Sequence, residues 1–171
     1  KARGVRKGDR VAIYMPMGIE AAVIMLACAR IGAIHMAIFA GFSPNAVVDR
    51  LSLTGARYIF AQDAGSRRGK PVPLKIMVDD AIDLLQDAKQ IKTVVVLKTG
   101  TVDVNMKAGR DITWEEFLAK GEGQNPDVTP MASDDPLFVM PTSGTTAKPK
   151  VTVQRHGGYQ VYIYSMAKWI Y

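Results

Sequence analysis

The densest chemistry in this sequence lies near its carboxyl end. Thr142-Ser-Gly-Thr-Thr-Ala-Lys-Pro-Lys150 packs four hydroxyls (Thr142, Ser143, Thr145, Thr146), one glycine and two lysines into nine positions. Small hydroxylated residues leave room for a bulky anion and present short donors to its oxygens. Gly144 permits a positive φ, so backbone N–H groups can turn inward on an anion. Lys148 and Lys150 add mobile positive charge, and Pro149 stiffens the link between them. A hydrogen bond to a charged group contributes about 1.5–3 kcal/mol, so a few of them hold a polyphosphate. A polar surface loop has the same composition, and the residues alone leave both readings open. A Walker A loop is excluded, because the fifth residue after Gly144 is Pro149. No G-x-G-x-x-G occurs either, so the dinucleotide fingerprint is absent.

Two further stretches carry candidate binding groups. In Asp63-Ala-Gly-Ser-Arg-Arg-Gly-Lys70 three cations (Arg67, Arg68, Lys70) flank Gly69 shortly before an expected helix. Arginine grips phosphate with two parallel donors, and a helix N-terminus adds positive character. A solvated basic turn is the competing reading. In Phe39-Ala-Gly-Phe-Ser-Pro44, Ala40 and Gly41 form a nearly side-chain-free turn past which a thin ligand chain could run. Packing of a tight strand–helix turn would need the same small residues. His35 and His156 belong to no cluster with metal-ligand spacing, so no metal site is expected. His35 lies in an apolar strand pattern, as a satisfied core histidine would.

The elements that must position these loops alternate. Strands are expected at Val11–Met15, Ala33–Phe39, Arg57–Ala61, Thr93–Leu97 and Leu137–Met140, with a further one at Val151–Gln154. Helices are expected at Ile19–Ile31, apolar nearly all round and so buried, closed by Gly32, and from Ser43-Pro44 to about Leu53, stopped by Gly55. Others are expected at Leu74–Lys89, from the capping box Thr113-Trp-Glu-Glu116 to near Gly121, and from Gly157 onward. Strand–helix alternation implies an α/β fold, a mostly parallel sheet with helices on both faces and ligand loops at the strands' carboxyl ends. The three loops should therefore share one edge of the sheet.

Composition fits one α/β domain over residues 1–171: 48% hydrophobic and 22% charged. The single cysteine, Cys28, sits in an apolar run and rules out a disulfide framework. The longest unbroken apolar run, Ala21–Ala29, is too short to span a bilayer, and no signal peptide is evident, so a cytoplasmic protein is expected. A net charge of +6 suits anionic nucleotides as well as nucleic acid. The basic opening Lys1–Arg10 carries no interleaved aromatic, which favours a solvated lead-in over a nucleic-acid arm.

Thr142–Lys150 resembles the signature loop of the adenylate-forming superfamily, the acyl-CoA synthetases, luciferases and peptide-synthetase adenylation domains. That loop usually reads T-S-G-[ST]-T-G-K-P-K-G; here Ala147 and Val151 stand where glycines are expected and Pro141 replaces a large residue. Arg67-Arg-Gly-Lys-Pro-Val-Pro-Leu-Lys75 with Val78-Asp-Asp-Ala81 is similar to the short-chain, acetyl-CoA and propionyl-CoA synthetase branch. So are Lys7–Pro16, Ala27–Ala33, Phe39–Pro44 and Asp135–Phe138. The resemblance implies the large N-terminal domain of an AMP-forming acyl-CoA synthetase, which activates a short carboxylate to acyl-AMP and transfers it to CoA. It implies ATP, CoA and Mg2+ as substrates and cofactor, with the magnesium ligands and the adenine-binding segments beyond Tyr171. Thr142, Ser143, Thr145, Thr146, Lys148 and Lys150 would handle the ATP phosphates, Lys150 as the catalytic cation and Gly144 shaping the loop. Arg67 and Lys70, with Arg68 and Gly69 between, would hold the CoA phosphates, and Ala40 and Gly41 would line the pantetheine path. The implied partners are small molecules and the remainder of a longer chain, without nucleic acid or membrane. A non-catalytic phosphate-binding module and a longer-chain acyl-CoA synthetase are the alternatives.

Overall fold

A computed structural model describes residues 1–142 and 149–170 of the protein. At its centre is β1 (Arg10–Tyr14), whose Val11-Ala-Ile-Tyr14 is buried on both faces. Such a continuous apolar run is what a strand needs when helices cover both sides of its sheet. β1 pairs in parallel with β2 (Ile34–Ala37) on one side and β3 (Tyr58–Gln62) on the other. Val11 lies opposite His35 and Tyr58, and Ile13 opposite Ala37 and Phe60. Beyond β3 come β6 (Thr93–Leu97) and β7 (Asp111–Thr113); beyond β2 come β8 (Pro136–Thr142) and β9 (Lys150–Arg155). The order is β7-β6-β3-β1-β2-β8-β9, all parallel except β9, which runs antiparallel to β8. A separate antiparallel hairpin joins β4 (Gly65–Arg67) to β5 (Lys70–Val72).

The chain leaves β1 through α1 (Ile19–Ile31) to β2, then turns back past β1 through α2 (Pro44–Thr54) to β3. Right-handed crossovers in opposite directions place their helices on opposite faces. Accordingly Val47 and Leu51 of α2 share a core with Leu74, Val78, Ala81 and Ile82 of α3 (Leu74–Asp83). Ala21, Ile24 and Cys28 of α1 join the other core, where Trp114 and Phe117 of α4 (Trp114–Ala119) pack on Phe60. Local signals set the boundaries: Ser43 Oγ accepts from Ala46 N–H, Pro44 opens α2, and Gly32 and Gly55 close α1 and α2 in left-handed geometry. The Thr113–Glu116 capping box is formed in both directions.

One polar cluster is built into the rim of this core. Lys75 on α3 and Asp111 on β7 have wholly buried side chains. Lys75 Nζ donates to Asp79 Oδ2 (2.7 Å) and Asn105 O (3.0 Å) and lies 2.9 Å from Asp111 Oδ2. Arg110 bridges the two carboxylates. Burial alone would raise the Asp111 pKa, but the Arg110, Lys75 and Lys107 donors outweigh it and hold the carboxyl below its ordinary value.

The mostly parallel α/β sheet expected from alternation is present, with four adjustments. The Ile19–Ile31 helix forms as expected but is not buried all round: Ile19, Val23 and Leu26 are exposed, because only one stripe of a helix can meet a sheet. The helix after Leu74 ends at Asp83, not Lys89, and a 3-10 turn at Ala88–Gln90 follows. β7 has three residues, too few to show a period. The last helix, α5 (His156–Trp169), starts one residue earlier than expected. No helix among the described residues is long and apolar enough to cross a membrane.

His35 departs from the expectation of a satisfied core histidine. Its ring stacks on Phe138 at 5.2 Å, and its buried Nδ1 has no hydrogen-bond partner among the described residues. Burial lowers its pKa to about 4. In the unfolded chain the ring titrates near 6.5. The stability that depends on neutral His35 is thus complete above about pH 6.5 and is lost as pH falls through about 4. A His35→Gln protein should lack this part of the acid loss. Urea unfolding of both proteins at neutral and mildly acidic pH measures it, and equal losses would remove His35 as the cause.

Candidate functional site

The stretch expected to be a basic loop is a β-hairpin. Gly65↔Val72, Ser66↔Pro71 and Arg67↔Lys70 are its facing pairs, and Arg68-Gly69 is its two-residue turn. Both turn residues have positive φ, 52° and 75°, as a primed turn matched to strand twist requires. The cations are thereby carried on an exposed hairpin rather than at the first turn of α3, which begins at Leu74. Arg67 and Lys70 face each other directly and project on the same side of the ribbon. Like charges in that relation repel, and Arg68 occupies a backbone region that costs a non-glycine residue about 1–2 kcal/mol.

The Ala40–Gly41 turn meets this hairpin. Gly41 has φ +124°, and a Cβ there would lie 3.8 Å from the Phe39 ring and 4.0 Å from Arg67 Nη1. The small turn and the basic hairpin, 26 residues apart in sequence (67 minus 41), are therefore side by side. The turn is held from below: the buried Tyr14 hydroxyl donates to Phe42 O (2.7 Å), and the Arg50 guanidinium sits over the Phe42 ring (4.2 Å). A crevice of about 430 Å³ opens beside it, lined by Ile13, Met15, Pro16, Phe39, Ala40 and Ser66 among others. It lies where the connections from β1 and β2 depart to opposite faces, the switch point at which α/β sheets receive ligands.

Thr142 and Lys150 end β8 and begin β9, paired across the ladder, with Thr142 Oγ1 3.4 Å from Lys150 O. Ser143, Gly144, Thr145, Thr146 and Lys148 lie outside the described residues. Because β2, β3 and β8 run parallel, the expected loops leave the sheet at one edge. In the order β3-β1-β2-β8, the Ala40–Gly41 turn stands between the basic hairpin and the end of β8. Three strand spacings of about 4.8 Å place those two roots about 14 Å apart.

Sequence reasoning missed the groups that hold this edge in place. Tyr14 read only as a strand residue, and Asp63 only as the start of a loop. An acidic residue directly after a buried strand was the available signal for Asp63. Among the described residues no group of three or more His, Cys, Asp or Glu could hold a metal ion.

A family model described as AMP-binding enzyme matches residues 1–171. The chain belongs to the AMP-binding enzyme family. An acetyl-coenzyme A synthetase of Novosphingobium aromaticivorans is 48% identical over 95% of this chain and 24% of its own length. That of Salmonella typhimurium is 45% identical over 98% of this chain and 26% of its own length. The solved acetoacetyl-CoA synthetase of Streptomyces lividans superposes with a TM-score of 0.84 at 28% identity, over 97% of this chain and 24% of its own. The chain thus spans about a quarter of the length of the relatives it matches. The doubly covered parallel sheet is the fold that this AMP-binding enzyme shares with that acyl-CoA synthetase.

The hairpin geometry makes a measurable prediction. Arg68→Asn installs Asn-Gly, the turn pair that positive φ at both positions favours. The hairpin should gain local stability, because Asn tolerates the left-handed region better than Arg. Slower amide exchange of Arg67 and Lys70, the pair that closes the turn, without a change in global unfolding, is the expected result; faster exchange would contradict a primed turn.

Proposed function

We propose that this AMP-binding enzyme chain, as one α/β domain over residues 1–171, handles the phosphates and CoA in an AMP-forming ligase acting on acetate or a similar short carboxylate. In the first step a carboxylate oxygen attacks the α-phosphorus of ATP, an acyl-AMP forms and pyrophosphate leaves. In the second the CoA sulfur, losing its proton, attacks the acyl carbon and AMP leaves. Thr142, Ser143, Thr145, Thr146, Lys148 and Lys150 serve the ATP phosphates, with Gly144 shaping their loop and Lys150 stabilising charge that develops on them. Arg67, Arg68, Gly69 and Lys70 grip the CoA phosphates, and Ala40 and Gly41 leave room for the pantetheine arm. The enzyme works on small molecules in the cytoplasm and has no nucleic-acid partner. Magnesium enters with ATP in such chemistry and draws its ligands from outside this chain.

The observation that carries this reading is the arrangement along one sheet edge. A cationic hairpin stands at one end, a hydroxyl- and lysine-bearing strand end lies about 14 Å away, and a side-chain-poor turn sits between. One compact anion does not need two such separated sites. A nucleotide tethered by a thin arm to a reacting group, next to a second nucleotide, does.

The test separates the two steps. In the full-length enzyme, Arg67→Ala combined with Lys70→Ala should raise the KM for CoA by about tenfold or more, each lost charged contact being worth about 1.5–3 kcal/mol. Carboxylate-dependent ATP–pyrophosphate exchange should stay near its starting rate. Equal loss of both activities would show that the hairpin serves ATP or the fold instead.

Lys150→Ala should behave in the opposite sense. Pyrophosphate exchange should fall by about 100-fold, the scale of removing one preorganised charge-stabilising group, while the melting temperature barely moves. Lys150 is exposed at the start of β9, so its removal opens no cavity. Normal exchange in that variant would return the Thr142–Lys150 stretch to the role of a surface loop.

A further inference from the structure

We infer that Asp63 is a positioning residue for the CoA half-reaction, clamping the root of the basic hairpin so that Arg67 and Lys70 meet their anion in a fixed place. The inference rests on the function proposed above for that hairpin. It begins from a mechanical problem. β4 and β5 form a two-stranded ribbon outside the main sheet, and residues 66–71 are exposed. An isolated two-stranded hairpin is marginal in water and cannot set its own direction. Whatever fixes Arg67 must act at the ribbon's base.

Asp63 sits there, immediately after β3, and is wholly buried. Its polar atoms are all engaged. Oδ1 accepts from Ala64 N–H (2.7 Å) and from the Thr99 hydroxyl (2.8 Å). Oδ2 accepts from the N–H groups of Thr99 (2.9 Å) and Thr101 (3.2 Å). Its own N–H donates to Leu97 O (2.9 Å), and its carbonyl accepts from Lys75 N–H (3.3 Å) in the first turn of α3. One residue therefore joins the end of β3, the first residue of the ribbon's base, the start of α3 and the turn after β6. Burial opposes ionisation of this carboxyl, but the donors from Thr99, Ala64 and Thr101 outweigh it and keep the pKa below the ordinary aspartate value.

The next residues transmit that placement. Ala64 is buried, and a Cβ on Gly65 would come within 3.3 Å of Leu74 Cδ1 and 3.4 Å of Pro16 Cγ, so the ribbon's first strand rests on α3 and on the turn after β1. Two residues further on, Arg67 lies against Gly41. A tilt at Asp63 would swing the cations away from that turn. Displacing a binding group by about 1 Å can cost up to about 100-fold in activity even when the change is remote from the chemistry. Asp63 is wholly buried, so it acts on the cations by placing the hairpin's base rather than by touching a ligand.

The full-length enzyme tests this with two variants. Asp63→Asn turns an amide N–H2 toward N–H groups that need an acceptor. Thr99→Val removes only the hydroxyl donor and keeps the side chain's shape, so it remains informative if Asp63→Asn fails to fold. The expected result is a KM for CoA raised about tenfold by Asp63→Asn and about threefold by Thr99→Val, with pyrophosphate exchange within about twofold of the parent. A purely structural role would lower exchange and CoA use together, and that outcome overturns the inference. So does an unchanged KM for CoA in a folded Thr99→Val enzyme. If the Arg67→Ala/Lys70→Ala enzyme loses CoA use while both clamp variants keep it, the clamp is wrong and the hairpin's function stands. If the double variant keeps CoA use, both are wrong.

Discussion

Parallel pairing on both flanks of β1 is the constraint from which the rest of the architecture follows. Parallel neighbours cannot be joined by a tight turn, so each must be reached by a crossover, here α1 toward β2 and α2 back toward β3. Crossovers in opposite directions land on opposite faces, which explains the two separate apolar cores. The same parallelism forces the turns after β2, β3 and β8 to one edge, although they are spread over about a hundred residues of sequence. Burial of Val11, Ala12, Ile13 and Tyr14 on both faces suits β1 to the interior of a sheet covered on both sides.

Against that rigid frame the proposed binding edge carries features that lower local stability. Arg67 opposite Lys70, Arg68 at positive φ and an exposed ribbon outside the sheet each work against the fold. Features of this kind persist where surrounding structure over-determines them, and the surroundings here do. Tyr14 fixes the neighbouring turn through Phe42 O, and Asp63 fixes the ribbon's base. Tyr14 and Asp63, which hold these two turns, are both wholly buried.

Legibility in the sequence divides along the same line. Alternation of apolar strands with capped helices was readable from Ser43-Pro44, Gly55 and Thr113–Glu116, because those signals are local. The loops with concentrated hydroxyls and cations were readable as well, since their composition stands out from their flanks. The hairpin was not: Gly65-Ser-Arg67 and Lys70-Pro-Val72 have no alternation, and Arg68-Gly69 lacks the Asn or Asp that usually announces a primed turn. β7 was too short to read, and the outward stripe of α1 could not be told from its inward one by apolarity alone. His35 failed for a different reason: whether a buried ring nitrogen finds a partner depends on Phe138, more than a hundred residues away.

The distribution of buried polar groups adds a final step. Lys75, Asp79, Arg110 and Asp111 tie α3 to β7, and Asp63 ties β3 and α3 to the turn after β6. Both clusters lie on the half of the sheet that carries the basic hairpin. Removing charges from water is costly, so such clusters are poor sources of stability compared with apolar packing of equal volume. They are, however, directional: an apolar contact tolerates rotation, whereas a carboxylate with four donors does not. The β8–β9 half has a different means of alignment, a backbone ladder running continuously from Val139–Val153 to Thr142–Lys150. A hairpin that continues the sheet inherits its orientation, while one that stands outside the sheet has to be given it. On this view the polar clusters occur where the backbone alone leaves a direction unspecified, and Asp63 occupies the point where that direction is set.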